Sequence, residues 1–265
     1  MQIQVNKFSM AYSDQGSGTP VVLIHGYPLN RRIWQPQLEA LSQQARIITP
    51  DLRGHGDSQA VTGPYSMDLL AQDVAALLDQ LQITEPVILG GLSMGGYVTF
   101  AFYRLFPERV KGLILTATRA AADTPAAREA RQQTAENARR QGVAAIAETM
   151  LPKLLAPYSL EQHPELVNTV REIMLSTSLE GILGDLAAMT ARPDSTPTLP
   201  TIQVPTLVVH GAQDILIPLA EAQAMQQAIP NARLEVIAQA GHLPSLETPQ
   251  AYNQTLSQFL KQFDA

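Results

Sequence analysis

Short runs of consecutive apolar residues recur along the chain, separated by longer stretches in which apolar positions repeat every three or four residues. The runs are VVLIHG (21–26), ARIITPD (45–51), VILGGL (87–92), VKGLILTA (110–117), VPTLVVHG (204–211) and RLEVIA (233–238). A strand that is apolar at nearly every position is covered on both faces, so these runs predict a parallel sheet held between helices. Met67 to Leu81 shows the helical pattern, with Met67, Leu70, Val74, Leu77, Leu78 and Leu81 as its apolar positions. The leading stretch IQVNKFSMAYSDQG alternates instead and predicts an antiparallel hairpin start, with a turn around Gly16 to Pro20.

The alternation of runs and helices breaks after Thr118. From Arg119 to about Pro197 the pattern is helical, rich in Ala, Gln, Arg and Glu and punctuated by Pro125, Pro152, Pro157, Pro164 and Pro193. Strand signals return at Val204, after the connecting stretch RPDSTPTLPTIQVP. The expected architecture is α/β: a mostly parallel eight-stranded sheet flanked by helices, with residues 1–118 and 197–265 as the core. Residues 119–196 form a helical cap inserted after the sixth strand. The cap charges Arg128, Glu129, Arg131, Glu136, Arg139 and Arg140 read as a solvated helix face with local pairs such as Glu136 to Arg140. Its apolar residues Met150, Leu151, Leu154, Leu155, Met174 and Leu175 read mostly as core.

Composition narrows the functional classes. A chain of 265 residues with 45% hydrophobic content can bury a large core, and a net charge of -6 gives no reason to expect a nucleic-acid or anionic-membrane partner. The N-terminus MQIQVNKFSMAYS has neither a basic nor an apolar leader pattern, and no run of about 18 apolar residues occurs, so cytoplasmic residence is the expectation. Without cysteine there are no disulfides, thiolate metal sites or cysteine nucleophiles. With no HExxH and only scattered histidines, no metal and no cofactor is expected.

The densest chemical signal is VILGGLSMGGYVTF, Val87 to Phe100. A Walker loop would place Lys and Ser or Thr after Gly96, where Tyr97 and Val98 stand, and G-x-G-x-x-G fails because neither Gly90 nor Gly91 has a glycine two residues on. G-x-S-x-G fits as Gly91-Leu92-Ser93-Met94-Gly95, between a strand and a helix. Such a turn pushes a serine out at the carboxyl edge of a sheet, where open α/β folds bind ligands. A serine hydroxyl needs a base and a stabilised oxyanion to act as a nucleophile. Of five histidines, His25 and His55 precede Ser93, His163 falls in the cap and His210 comes before the acid, which leaves His242 in AGHLPSLE. Asp214, in the turn after VPTLVVHG and 28 residues before His242, is the expected acid, with Asp123 as fallback. The oxyanion donors expected are the backbone N–H groups of Met94 and of Tyr27, which follows His25-Gly26; Pro28 has no N–H to offer. His25 and the stretch DLRGHGDS (51–58) read as structural, the latter a compact loop closed by its own hydrogen bonds.

The residues HGYP (25–28), DLRGHGDS (51–58), GLSMGG (91–96), HGAQD (210–214) and AGHLPSLE (240–247) together resemble the α/β-hydrolase superfamily over nearly the whole chain. Within it the chain is similar to the small branch of carboxylesterases, 3-oxoadipate enol-lactonases and cofactor-free haloperoxidases or perhydrolases. The resemblance implies a Ser93, Asp214 and His242 triad, with Tyr27 and Met94 as oxyanion donors and a small-molecule ester or lactone as substrate. Haloalkane dehalogenases and epoxide hydrolases carry an aspartate where this chain has Ser93. An anionic substrate would want a basic partner, for which Arg31, Arg32, Arg53, Arg119 and Arg192 are the candidates near the motif loops; each reads as a surface arginine.

Overall fold

The computed structural model describes residues 1–263. Eight strands form one sheet: β1 (Gln2–Val5), β2 (Phe8–Gln15), β3 (Pro20–Ile24), β4 (Arg46–Pro50), β5 (Val87–Leu92), β6 (Val110–Thr116), β7 (Thr206–Gly211) and β8 (Ala232–Ile237). Their spatial order is β1-β2-β4-β3-β5-β6-β7-β8, with β1–β2 and β2–β4 antiparallel and every other pair parallel. The continuous apolar runs are the central strands: β3, β5 and β7 are buried at every position. β8 is the exception, because it is a sheet edge and its residues alternate towards solvent.

The hairpin start is present, but its turn is at Asn6 and Lys7, both at positive φ (43° and 73°), as a two-residue turn of this hand requires. Gly16 to Pro20 instead carries the chain from β2 to β3, which are separated in the sheet by β4.

The core helices are α1 (Gln35–Leu41), α2 (Met67–Gln80), α3 (Met94–Leu105), α8 (Leu219–Ala228), α9 (Pro244–Glu247) and α10 (Pro249–Leu260). α2 is started by Ser66, whose side chain accepts from the Leu69 N–H, and it buries Met67, Leu70, Val74, Leu77 and Leu78. Between β6 and β7 lie the helices over the carboxyl edge of the sheet: α4 (Pro125–Leu154), α5 (Pro157–Gln162), α6 (Pro164–Leu175) and α7 (Leu179–Ala191). α4 is broken at Gly142, which sits at φ 79°. This cap is bound to the core by apolar packing. Leu151, Leu154, Leu155 and Met174 share a buried cluster with Leu29 and Trp34, while Ile182, Leu186 and Met189 join the cluster of Tyr27, Tyr65 and Tyr97. Met150 and Leu175 depart from the expected core role: Met150 is half-buried and Leu175 is exposed. Among the described residues no helix is long and apolar enough to cross a membrane.

Candidate active site

The ends of β3, β5, β7 and the segment after β8 meet at one edge of the sheet, and each supplies one group. β5 ends at Leu92 and α3 begins at Met94, leaving Ser93 to make the whole reversal with φ 55° and ψ -112°. That combination lies outside the regions comfortable for an L-residue and costs of order 1–3 kcal/mol. Neighbouring backbone is so close that glycine is obligatory beside it. A Cβ on Gly91 would stand 2.2 Å from the Gly95 carbonyl carbon, and one on Gly95 would stand 2.3 Å from the Ile24 oxygen. Ser93 is held from both sides, its N–H donating to the Thr116 oxygen (2.9 Å) and its own carbonyl accepting from Thr118 Oγ1 (2.7 Å). Its Oγ forms no hydrogen bond among the described residues, and it shares the wall of one cavity of about 260 Å³ with Tyr27, Tyr97, Arg119, Arg131 and His242.

His242 meets Asp214: Nδ1 lies 2.7 Å from Oδ2, and both side chains are essentially buried. Burial alone would raise the Asp214 pKa, but His242 and the N–H groups of Ile217 and Leu216 outweigh it, so the carboxyl lies below its ordinary value and stays ionised. An ionised carboxylate only accepts, so Nδ1 carries the proton in this contact. His210 is also buried, and burial lowers its pKa, with His242 adding to this against the pull of Asp214 and the Ile217 backbone.

The loop after β3 passes close to Ser93, since a Cβ on Gly26 would lie 3.1 Å from the Ser93 Cβ. Neither the Tyr27 nor the Met94 N–H donates to an acceptor among the described residues. His25 braces this loop from behind. Its Nε2 accepts from the Leu52 N–H (2.9 Å) and its Nδ1 faces the Gly26 oxygen (3.0 Å), while burial, the nearby charge of His55 and that of Arg31 hold its pKa well below the usual imidazole value. DLRGHGDS is closed internally as expected, with Asp51 Oδ2 accepting from the Asp57 N–H and Ser58 Oγ donating to the Asp51 oxygen. It also reaches outward, because His55 Nε2 lies 2.9 Å from Asp185 Oδ2 of the cap.

Asp123 does not approach the His242 pair. It binds three arginines instead: Arg119 (2.8 Å), Arg131 (2.5 Å) and Arg192 (2.7 Å). Burial works to raise its pKa, but Arg131 and then Arg192 outweigh this and hold it at about 2. A group whose folded pKa is depressed contributes stability above its ordinary pKa and loses it as pH falls through the folded value. The unfolding free energy is therefore expected to drop between about pH 4 and pH 2 through this group, and Asp123→Asn should flatten that part of a urea-unfolding profile. An unchanged slope would exclude the coupling.

The candidate arginines are not surface residues as a class. Arg53 is buried against Asp73 (2.7 Å), and Arg192 is buried beneath the cap with its guanidinium 4.1 Å over the Tyr97 ring. Arg119 lines the cavity, and Arg31 pairs with Asp51 and Asp57. Arg131, read as part of a solvated face, turns inward because Asp123 is there to receive it, whereas Glu136 and Arg140 stay exposed and pair weakly at 3.7 Å. Glu247 is a further residue with a defined position. It accepts from the N–H groups of Gly241 and Leu243, which flank His242, and from Ala156 N–H and Ser159 Oγ of the cap. Its place inside AGHLPSLE was the available signal. Among the described residues no cluster of His, Asp and Glu could hold a metal ion.

The alpha/beta hydrolase fold family model matches residues 19–249. The chain belongs to the α/β-hydrolase family. Within this family it is 34% identical over 258 residues to 3-oxoadipate enol-lactonase 2 of Acinetobacter baylyi, covering 97% of this chain and 94% of that one. A thermophilic esterase from Thermogutta terrifontis, solved with malate bound, is 41% identical at a TM-score of 0.96, covering 99% of this chain and 98% of the other. The enol-lactonase from Burkholderia xenovorans LB400 is 31% identical at a TM-score of 0.92, covering 98% and 100%. These likenesses span cap and core together.

Proposed function

We propose that this protein hydrolyses carboxylic esters or lactones through an acyl-enzyme on Ser93. The observation that carries the reading is the 2.7 Å contact between Asp214 and His242, on a cavity shared with a serine held in a strained turn. Family relatives named as an esterase and as enol-lactonases support the same class.

In this mechanism His242 Nε2 takes the Ser93 proton as Oγ attacks the carbonyl carbon. The oxyanion is stabilised by the Tyr27 and Met94 N–H groups. Collapse breaks the bond to the alkoxide oxygen, which His242 protonates. Water, deprotonated by the same nitrogen, then attacks the acyl-enzyme and releases the acid and Ser93. Asp214 orients the ring and stabilises the imidazolium without itself taking the proton. The expected result with a serine-directed fluorophosphonate is one adduct per chain, located on Ser93 by peptide mass mapping. Labelling at another residue, or none, would overturn the assignment.

A further inference from the structure

We propose that Glu247 is a positioning residue for the general base: its carboxylate fastens the His242 loop to the cap, so that the cap sets where His242 meets Ser93. The inference rests on the hydrolase reading and adds a residue to it.

The loop that carries His242 runs from the end of β8 to α9, and a connection of this kind shifts easily unless its peptide groups are bound. Three consecutive N–H groups in it, those of Gly241, His242 and Leu243, are engaged, and none of them by the sheet. His242 N–H donates to the Leu154 oxygen at the end of α4 (3.0 Å). Gly241 and Leu243 N–H donate to Glu247 Oε1 (2.8 and 3.2 Å), while Oε2 of the same carboxylate accepts from Ala156 N–H and Ser159 Oγ, both at 2.7 Å. Directly or through this one side chain, cap residues 154–159 hold the backbone on both sides of His242. The two segments are also in contact, since a Cβ on Gly241 would stand 2.6 Å from the Ala156 nitrogen.

The donor set explains why a glutamate stands at this position. Three of its four partners are backbone N–H groups, which only donate, and a carboxylate is the side chain whose two oxygens both accept. Glutamine would keep one accepting oxygen and turn an NH2 group towards donors. Burial raises the Glu247 pKa, and the same four donors, Ala156 N–H foremost, pull it down. Glu247 is not on the cavity wall with Ser93, so it acts through His242, whose ring is held at the other end by Asp214 (2.7 Å). Such a brace matters because a misplacement of about 1 Å can cost on the order of a hundredfold in rate.

The test measures kcat/KM for para-nitrophenyl acetate in a double-mutant cycle. Glu247→Gln is expected to lower it about tenfold in the wild-type background. The loss should fall on kcat with KM within about twofold, because His242 serves acylation and deacylation alike. In a His242→Ala background, where the residual rate comes from oxyanion binding, the same change is expected to cost less than about twofold, since an absent base cannot be misplaced. Labelling of Ser93 by the fluorophosphonate should slow in parallel with kcat/KM. An equal loss in the His242→Ala background, or a rise in KM with kcat unchanged, would overturn the proposal, because a general loosening of the cavity produces either. Activity of Glu247→Gln within about twofold of wild type would overturn it as well. Circular dichroism checks folding. If Glu247→Gln does not fold, Ser159→Ala removes one cap donor from Oε2 and is expected to cost about threefold in kcat/KM only where His242 is present; an unchanged rate overturns the proposal. Failure of the hydrolase reading would show separately, as no turnover and no Ser93 adduct in the wild-type protein, and would overturn both by leaving no base to position.

Discussion

Ser93→Ala is expected to lower the hydrolysis of short acyl esters by roughly four orders of magnitude or more, because without Oγ no acyl-enzyme can form and only oxyanion binding remains. The structure makes this a clean experiment. Ser93 Oγ has no hydrogen bond among the described residues, so its removal leaves no donor or acceptor stranded, and the fold should be retained. Ser93→Gly sharpens the result. At φ 55° and ψ -112° glycine relieves the backbone strain that any L-residue carries, so this variant should be equally inactive yet more stable by about 1 kcal/mol. Denaturant midpoints and initial rates on the same preparations would check both halves. An alanine variant with activity within tenfold of wild type would remove Ser93 from the chemistry, and a glycine variant less stable than the parent would contradict the strain.

The second large effect is expected at Asp185→Ala. His55 and Asp185 are each fully buried, one in a core loop and the other on α7, and their 2.9 Å contact is a buried tie between core and cap. His55 Nδ1 faces the Arg53 oxygen at 2.9 Å and Nε2 lies 2.9 Å from the Asp185 carboxyl, so a second proton on the ring would place a positive charge beside that acid. Burial opposes this charge, but Asp185 outweighs it and raises the His55 pKa above its usual value. Removing one partner of such a pair costs about 3–5 kcal/mol, because the other is left buried and uncompensated.

The pH dependence of that loss follows from the same shift. A raised histidine pKa contributes stability that is fully present below the unfolded value of about 6.5 and disappears as pH rises through the folded value. The gap between wild type and Asp185→Ala in urea unfolding should therefore be wider at about pH 5.5 than at about pH 9. Removing both side chains should cost less than removing Asp185 alone. A gap independent of pH would rule out an ion-pair origin. Because α7 also carries Leu186 and Met189 on the cavity wall, and Ser178 binds the Gly54 carbonyl through N–H and Oγ, loosening this tie should raise KM as well.

Much of the architecture was legible because burial on both faces leaves a one-dimensional trace. β3, β5, β6 and β7 are runs of apolar residues, and α2 and α3 follow the patterns of a half-buried and a fully buried helix. The hairpin turn was misplaced because the glycines at Gly16 and Gly18 are a stronger local signal than Asn6-Lys7, although the latter pair adopts the positive φ values of the turn. At the candidate site, the chain order of strand ends pointed to Ser93, Asp214 and His242, and the structure brings Asp214 to His242 and puts Ser93 and His242 on one cavity. Glu247 and Asp185 had no assigned task, since their partners lie across the interface between cap and core, whereas Arg131 was read as solvated although its partner Asp123 lies only eight residues away in the cap. Asp185 did leave one trace, a single acid in the apolar run ILGDLAAM.

By itself the sequence determined what depends on neighbours along the chain: the strands and helices, the turn that only glycines around Ser93 permit, and the order in which the candidate groups leave the sheet. Tertiary structure alone decided which charges meet. Asp123 faces three arginines instead of a histidine, Arg131 leaves the solvated face of α4, and His55 meets an acid 130 positions away in the cap. The physical reason is range. Backbone conformation and hydrophobic periodicity are set within a few residues, whereas burying a charge is tolerable only where the whole fold delivers an opposite charge to the same point.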